Sequence, residues 1–320
     1  MNTTILEQPL VQFVDPDQVL KSKGRSFHWA RRLLGSEHSA RATRLYSMCR
    51  YLDDLADESL SIEQSRSTLA NIKCSILDGQ SDHPVIRDGL SLIQECNIDP
   101  GVLCELIDGV ALDLDHVAIA ELDDLLRYCY QVAGTVGLMM CSVLDVEESA
   151  AWPHAVDLGI AMQLTNICRD VKADAQAGRR YLPASMVGNL SAIELVDPSS
   201  DLRPQLQDCL QRLLEIADCY YSSGELGLSY LPLRARAGIL TAARLYRAIG
   251  TSIKNCQYQY WRGRVVVNGF KKTALTAKLL LGAPVSHAFW RPTYQHDQTL
   301  HRPLENMIRV NRSSNVYHGL

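Results

Sequence analysis

Apolar residues return at intervals of three and four along most of the chain, from about Phe27 to Leu77, Val102 to Leu144, Ala155 to Ala177, Leu206 to Leu228 and Ala235 to Trp261. That is the period of helices with one face turned to a core, and it predicts an all-helical protein. Helix starts agree with it. Asp15-Pro16 and Asp99-Pro100 each set a capping carboxylate before a proline whose fixed φ suits a first turn. Breaks are expected at Gly79 to Pro84, Pro183 to Gly188 and Pro198 to Pro204. Only RVVVNGFKK, Arg264 to Lys272, carries a strand and Asn-Gly turn signal, and one hairpin does not make a sheet protein. After Pro284 the periodicity fades into Pro, His, Arg, Asn and Ser. The predicted layout is an N-terminal segment over residues 1–22, one helical domain over 23–283 and a loosely packed tail over 284–320. Within it TALTAKLLLGA, Thr273 to Ala283, fits core packing better than its alternative, a short amphipathic surface resting on a membrane.

A chain of 320 residues with 47% hydrophobic content can bury a large core. Its net charge of −4 offers no broad basic field, so nucleic acid is not expected as a partner and any anionic ligand must be met locally. The ten cysteines show no C-x-x-C pair, which predicts reduced, mostly buried thiols and neither a zinc site nor a disulfide framework. MNTTILEQPLVQF lacks a basic region followed by an apolar stretch, and no apolar run reaches the length of a membrane span. The expectation is a cytoplasmic protein, soluble or peripheral on the inner face of the membrane. No G-x-G-x-x-G, P-loop or H-E-x-x-H is present, and there is no internal repeat.

Two aspartate clusters break the helical pattern: DDLAD, with Asp53, Asp54 and Asp57, and RDVKAD, with Arg169, Asp170 and Asp174. In each, the outer acids stand four apart, which puts both carboxylates on one helix face at a cost of roughly 0.2–0.5 kcal/mol. A hard divalent cation shared with a substrate phosphate removes that repulsion. Both clusters extend from apolar stretches, LYSMCRYL and LGIAMQLTNIC, where polar groups need partners. Arg50 lies three before Asp53 and Asn166 four before Asp170, so each helix adds a polar side chain to that face. Asn166 has an amide oxygen to complete a metal shell, and Arg50 a fork for a phosphate oxygen. By contrast Asp123-Asp124 reads as a helix-start cap, and Asp113 as a supporting group only. In YCYQVAGTVGLMM the small residues Ala133, Gly134 and Gly137 leave two uses open, a tight helix crossing or an apolar channel.

LYSMCRYLDDLAD, YCYQVAGTVGLMM and MQLTNICRDVKADAQAGRRYLP closely resemble the three signature stretches of the squalene/phytoene synthase family, its bacterial phytoene-forming members most of all, from about Ser26 to Lys272. The resemblance implies the all-α, single-domain isoprenoid synthase fold, a class I terpenoid synthase bundle with a central apolar cavity beneath two facing aspartate motifs. It implies that Asp53 and Asp57, supported by Asp54, bind magnesium (Mg2+) on one wall and Asn166, Asp170 and Asp174 on the other, with manganese (Mn2+) able to substitute. The four outer aspartates are then the catalytic set. Ser26, Phe27, Tyr46, Arg50, Gln163, Arg169, Tyr258 and Arg264 are implied to bind substrate, most of them at its diphosphate. Prenyl chains are implied to lie along Ala133, Gly134 and Gly137, with Phe27 near the entrance. Thr43, a small residue one turn before Tyr46 where a bulky aromatic would plug the pocket, suggests room for long chains. Two departures from the family pattern stand out: Gly24 replaces the first serine of an S-x-S-F-like element, and Ala118-Ile119 stand where many bacterial members carry Arg-Tyr.

The implied activity is that of a prenyltransferase of carotenoid and isoprenoid biosynthesis. It joins two geranylgeranyl diphosphates through prephytoene diphosphate to phytoene, releasing diphosphate without NADPH. One alternative joins two farnesyl diphosphates to dehydrosqualene or, with NADPH, squalene. Another is a non-catalytic assembly or scaffold relative, which would be free to lose the metal ligands that this chain keeps. The oligomeric state is unknown from sequence.

Overall fold

The computed structural model describes residues 15–57, 61–265, 287–290 and 295–307. Its helices are α1 (Pro16–Lys23), α2 (Arg25–Ala30), α3 (Ser36–Asp57), α4 (Ile62–Asp78), α5 (Pro84–Glu95), α6 (Pro100–Leu112), α7 (Leu122–Cys129), α8 (Thr135–Val143), α9 (Trp152–Gln176), α10 (Ala184–Val187), α11 (Ala192–Val196), α12 (Arg203–Leu226), α13 (Leu233–Asn255) and α14 (His287–Trp290). A π turn, Tyr130–Gly134, joins α7 to α8 without interruption. Among the described residues the only β pairing is one bridge between Ala118 and Arg180, so the fold is all-α. The expected hairpin, beyond Arg264 and Val265, and the TALTAKLLLGA stretch lie outside the described residues.

The caps form as the sequence predicts. Asp15 accepts from the Asp17 amide at 3.0 Å and Asp99 from the Gly101 amide at 2.9 Å. Gly79 ends α4 in the left-handed region at φ 71°, which an L side chain rarely adopts. Asp124 accepts from the Glu121 amide, completing a capping box at the start of α7.

Helix α9 is the central helix of the molecule: Val156, Asp157, Ile160, Leu164, Cys168 and Val171 are buried along one broad face, while Ala155, Gly159, Met162 and Asn166 on the other are half-buried. It packs against α8, α11, α12 and α13. The crossing with α8 is close enough to need glycine on both partners: a Cβ on Gly137 would stand 2.2 Å from the Ala155 carbonyl, and one on Gly159 2.3 Å from that of Ala133. All ten cysteines are free and six are buried, as expected of reduced thiols. Although periodicity fades after Pro284, parts of that stretch are packed. Phe289 and Leu304 are buried, and Tyr220 donates to the Leu300 carbonyl at 2.7 Å. Among the described residues no helix is long and apolar enough to cross a membrane.

Candidate active site

An apolar cavity of about 290 Å³ lies between α3, α8, α9 and α13. Ala42, Leu45 and Cys49 of α3 line one side, and Leu158, Gly159 and Met162 of α9 the other. Its polar end carries Asp53, Tyr46, Gln163, Asn166 and Tyr246. Helix α3 therefore presents its first aspartate, and α9 its asparagine, to the same space.

The acids of this end differ in their surroundings. Asp57 accepts from Arg179 at 2.7 Å, and Asp54 pairs with Arg50. Asp170 is held in two guanidinium forks: Arg169 at 3.0 and 2.5 Å, and Arg264 at 2.7 and 3.0 Å. Burial alone would raise Asp170, but these two forks outweigh it and hold the carboxyl below its usual range. Among the described residues Asp53 and Asp174 have no such fork. Burial pushes Asp53 up to about 7 against the pull of Arg50. Burial and the nearby charge of Asp170 likewise push Asp174 up to about 7.

Asp113 sits within electrostatic reach of both walls, acting on Asp53 and on Asp174. Its carboxylate accepts from Tyr128 at 2.9 Å and Tyr181 at 2.7 Å, the two rings stacking at 5.0 Å. Asp113, expected as a supporting group, thus lies within reach of both acid-bearing helices. The Asn166 amide nitrogen donates to Gln163 at 3.3 Å, while its carbonyl oxygen is buried without a hydrogen-bond partner among the described residues. Arg50 Nε is likewise buried without one.

Of the residues expected at the site, Phe27, Tyr46, Asp53, Ala133, Gly137, Gln163 and Asn166 line the cavity. Arg50, Asp57, Arg169, Asp170 and Arg264 gather at its polar end through the pairs just described, and Asp174 stands within reach of the Asp170 charge. Ser26 falls in α2, but its side chain lies outside the described residues. Tyr258 is not a lining residue; it sits in a left-handed turn at φ 58° after α13 and packs on the core. Gly134 is spent on packing, since a Cβ there would stand 2.8 Å from the Tyr130 ring. Thr43 is not a lining residue either. It is buried behind the wall, where its hydroxyl accepts from Arg31 at 2.6 Å and donates to the Ser39 carbonyl at 2.7 Å. Both uses left open for the small residues are realised: Gly137 makes the helix crossing and lines the cavity as well.

The departures from the family pattern have local explanations. A Cβ on Gly24 would stand 2.7 Å from the ring of Tyr46, so glycine leaves that ring its place. Ala118-Ile119 work through their backbone, the Ile119 amide donating to the Arg180 carbonyl at 3.1 Å. That pairing turns Arg180 inward, where it donates to the carbonyls of Ile119 at 2.8 Å and Leu182 at 2.6 Å, and leaves Arg179 to Asp57. Sequence reasoning missed Arg179 and also Tyr246, whose ring stands 5.3 Å from Phe27. Burial raises the Tyr46 and Tyr246 hydroxyls to about 12, so both stay protonated and able to donate to an anion.

An all-α bundle in which two acid-bearing helices flank the polar end of an apolar cavity is the layout of a prenyltransferase of the isoprenoid synthase fold. The chain belongs to the squalene/phytoene synthase family, whose sequence model matches residues 20–271. It is 34% identical over 289 residues to a 15-cis-phytoene synthase of Enterobacter agglomerans, covering 83% of this chain and 97% of that one. A 15-cis-phytoene synthase of Pantoea ananas is 33% identical over 75% of this chain and 82% of its own. Among solved structures, a dehydrosqualene synthase bound to a ligand superposes with a TM-score of 0.75 at 26% identity, covering 85% of this chain and 96% of that one. The family uses prenyl diphosphates and generally needs a divalent metal.

Proposed function

We propose that this chain is a phytoene-forming enzyme that joins two geranylgeranyl diphosphates head to head. What carries this choice is identity of about a third, over most of both chains, to relatives named as phytoene synthases. The polar end of the cavity fits a hard divalent cation, because among the described residues Asn166 offers a buried carbonyl oxygen without a partner and Asp53 and Asp174 are buried carboxyls short of countercharge. Asp53, Asp57, Asn166, Asp170 and Asp174 would hold magnesium, or manganese in its place. Bound there, the cation supplies positive charge to the departing diphosphate.

The chain's own groups account for the rest. Arg50, Arg169 and Arg264, with the protonated hydroxyls of Tyr46 and Tyr246, stabilise the diphosphate as its C–O bond breaks. The double bond of the second donor attacks the allyl cation, and loss of a proton gives the cyclopropyl prephytoene diphosphate. Its second diphosphate then leaves, the carbon skeleton rearranges, and a further proton is lost to give phytoene. In sum, two donors yield phytoene, two diphosphates and two protons released. Water would quench either cation, so the apolar walls that exclude it are part of the catalysis. Substrate and product are both oily, which favours work in the cytoplasm against the inner face of a membrane.

The test is incubation of purified protein and magnesium with geranylgeranyl or farnesyl diphosphate, with and without NADPH, and mass analysis of the extracted hydrocarbon. Phytoene from the longer donor, independent of NADPH, is expected. A product from farnesyl diphosphate alone would give the chain the activity named for its dehydrosqualene synthase neighbour. No product from either donor would favour a scaffold role.

A further inference from the structure

Remote from the acids of the cavity, three donor side chains converge where the condensation has no use for them. Asp157 of α9 is fully buried, with one carboxylate oxygen 2.8 Å from His296 Nε2 and the other 2.8 Å from His301 Nε2. The three donor atoms lie within 4.8 Å of one another. Both imidazoles belong to residues 295–307, so the cluster fastens the C-terminal stretch to the central helix. His154, one turn before Asp157, stands with its ring 5.3 Å from that of His296. Its Nδ1 lies 2.7 Å from the Ser223 carbonyl, which can only accept. The proton is therefore on Nδ1, and Nε2 keeps its lone pair.

We propose that Asp157, His296 and His301 form a site for a divalent cation of the zinc type, distinct from the hard-cation site at the aspartates. Two imidazoles and one carboxylate are a donor set that zinc takes, leaving its fourth position to water or a further nitrogen. The aspartate end offers oxygens alone, which suits magnesium. A carboxylate at zero exposure needs positive charge beside it, and a cation shared by the three donors is one source of that charge. Bonds of about 2.0 Å in tetrahedral geometry place donors about 3.3 Å apart, so the hydrogen-bonded pairs at 2.8 Å would part and the set, now within 4.8 Å, would close round the cation. The buried Nδ1 of His301, without a hydrogen-bond partner among the described residues, marks a ring whose position is set from its other nitrogen.

The consequence for the enzyme is mechanical. His154 lines the cavity, and so does Asn166, twelve residues and about 18 Å further along α9. Cation binding would clamp the C-terminal stretch beside the end of the cavity remote from the acids.

The experiment uses full-length protein stripped with chelator, held in excess magnesium and titrated with cobalt(II), then zinc. One equivalent per chain is expected, seen as the visible absorption of nitrogen-ligated cobalt, displaced by zinc and accompanied by a rise in Tm. Asp53→Asn should leave it intact. His296→Gln and His301→Gln should each weaken it at least about tenfold, the loss that removal of even an outer partner brings. Should His301→Gln fail to fold, His296→Gln decides, because its ring is less buried. Absence of saturable binding, binding unchanged in the histidine variants, or a cobalt spectrum dominated by thiolate bands would overturn the proposal and leave a purely hydrogen-bonded latch.

Discussion

The two walls of the site read alike in sequence, a pair of aspartates four apart on each, yet each pair is divided by its surroundings. On α3 the outer acid Asp57 is held by Arg179, while Asp53 is buried and pushed up to about 7. On α9 the order reverses: Asp170 is gripped by Arg169 and Arg264, and Asp174 is the one pushed up to about 7. Spacing puts carboxylates on a face; burial and neighbouring guanidiniums decide which of them carry charge. On the function proposed above, the arginines hold the places that diphosphate and cation later take, turning to phosphate as the metal takes the carboxylates.

The strongest way to break this comparison is to neutralise one acid of each kind. Asp53→Asn and Asp170→Asn are both expected to lower phytoene formation by about 10²- to 10³-fold, the scale of losing one preorganised charge-stabilising group. Their stabilities should move in opposite directions, because Asp53 lacks a guanidinium fork and Asp170 is the partner of two. Labelled substrate turnover and denaturant melts, run side by side, check both. Equal stability changes would mean that the two acids are not differently compensated.

The next test separates two neighbouring arginines. Arg180→Met leaves the carbonyls of Ile119 and Leu182 without their charged donor and should cost about 2–3 kcal/mol in urea unfolding. Arg179→Met should move that midpoint less and lower turnover about tenfold, since the exposed Asp57 loses its hydrogen-bond partner and Asp113 and Asp174 lose a nearby positive charge. A reversal of these roles would remove Arg179 from the site.

The acids themselves were legible because charges interrupt an apolar helical pattern, and so were the helix caps. Arg179 was not, since nothing in GRRYLP tells which arginine faces the acids until the backbone pairing of Ile119 with Arg180 turns the second inward. Tyr246 is the single aromatic of α13, with no local mark that separates it from a core residue. The choice of Thr43 failed for a geometric reason. At about 100° per residue, three residues before Tyr46 falls about 60° from its face and four falls about 40°, on the opposite side. The cavity takes the latter, Ala42. The Asp157 cluster joins positions more than a hundred residues apart, with no spacing that a local motif could show.

Below the acids the walls also differ in what they tolerate. Ala42→Phe on α3 fills space that is open to the substrate chain and should favour farnesyl over geranylgeranyl diphosphate by about tenfold in kcat/KM. Thr43→Trp should instead disturb Arg31 and lower stability without changing product length. No such tuning is open from α9 at Gly159, where a Cβ would meet the Ala133 carbonyl at 2.3 Å and the helix crossing would have to part. Competition between the two donors, read by product mass, decides.

The smallest expected effect concerns pH. Asp53 and Asp174 have folded-state values of about 7, above the 3.8 of an ordinary aspartate, so the folded chain holds protons that the unfolded chain releases. Their contribution to the stability of metal-free protein is greatest near pH 4 and declines as pH rises through 7. A divalent cation binds the deprotonated carboxyls, so its stabilising effect must run the other way. The rise in Tm on adding magnesium should therefore be larger at pH 8 than at pH 6. In metal-free protein Asp53→Asn should be more stable than the native chain at pH 8, and the difference should shrink as pH falls towards 4. Asp170 lies below its ordinary value, so Asp170→Asn should show the opposite sign: a loss of stability at neutral pH that fades only as the solution is made acidic enough to protonate Asp170 in the native protein. If both variants followed one pH profile, the division of each wall into a compensated and an uncompensated acid would be wrong.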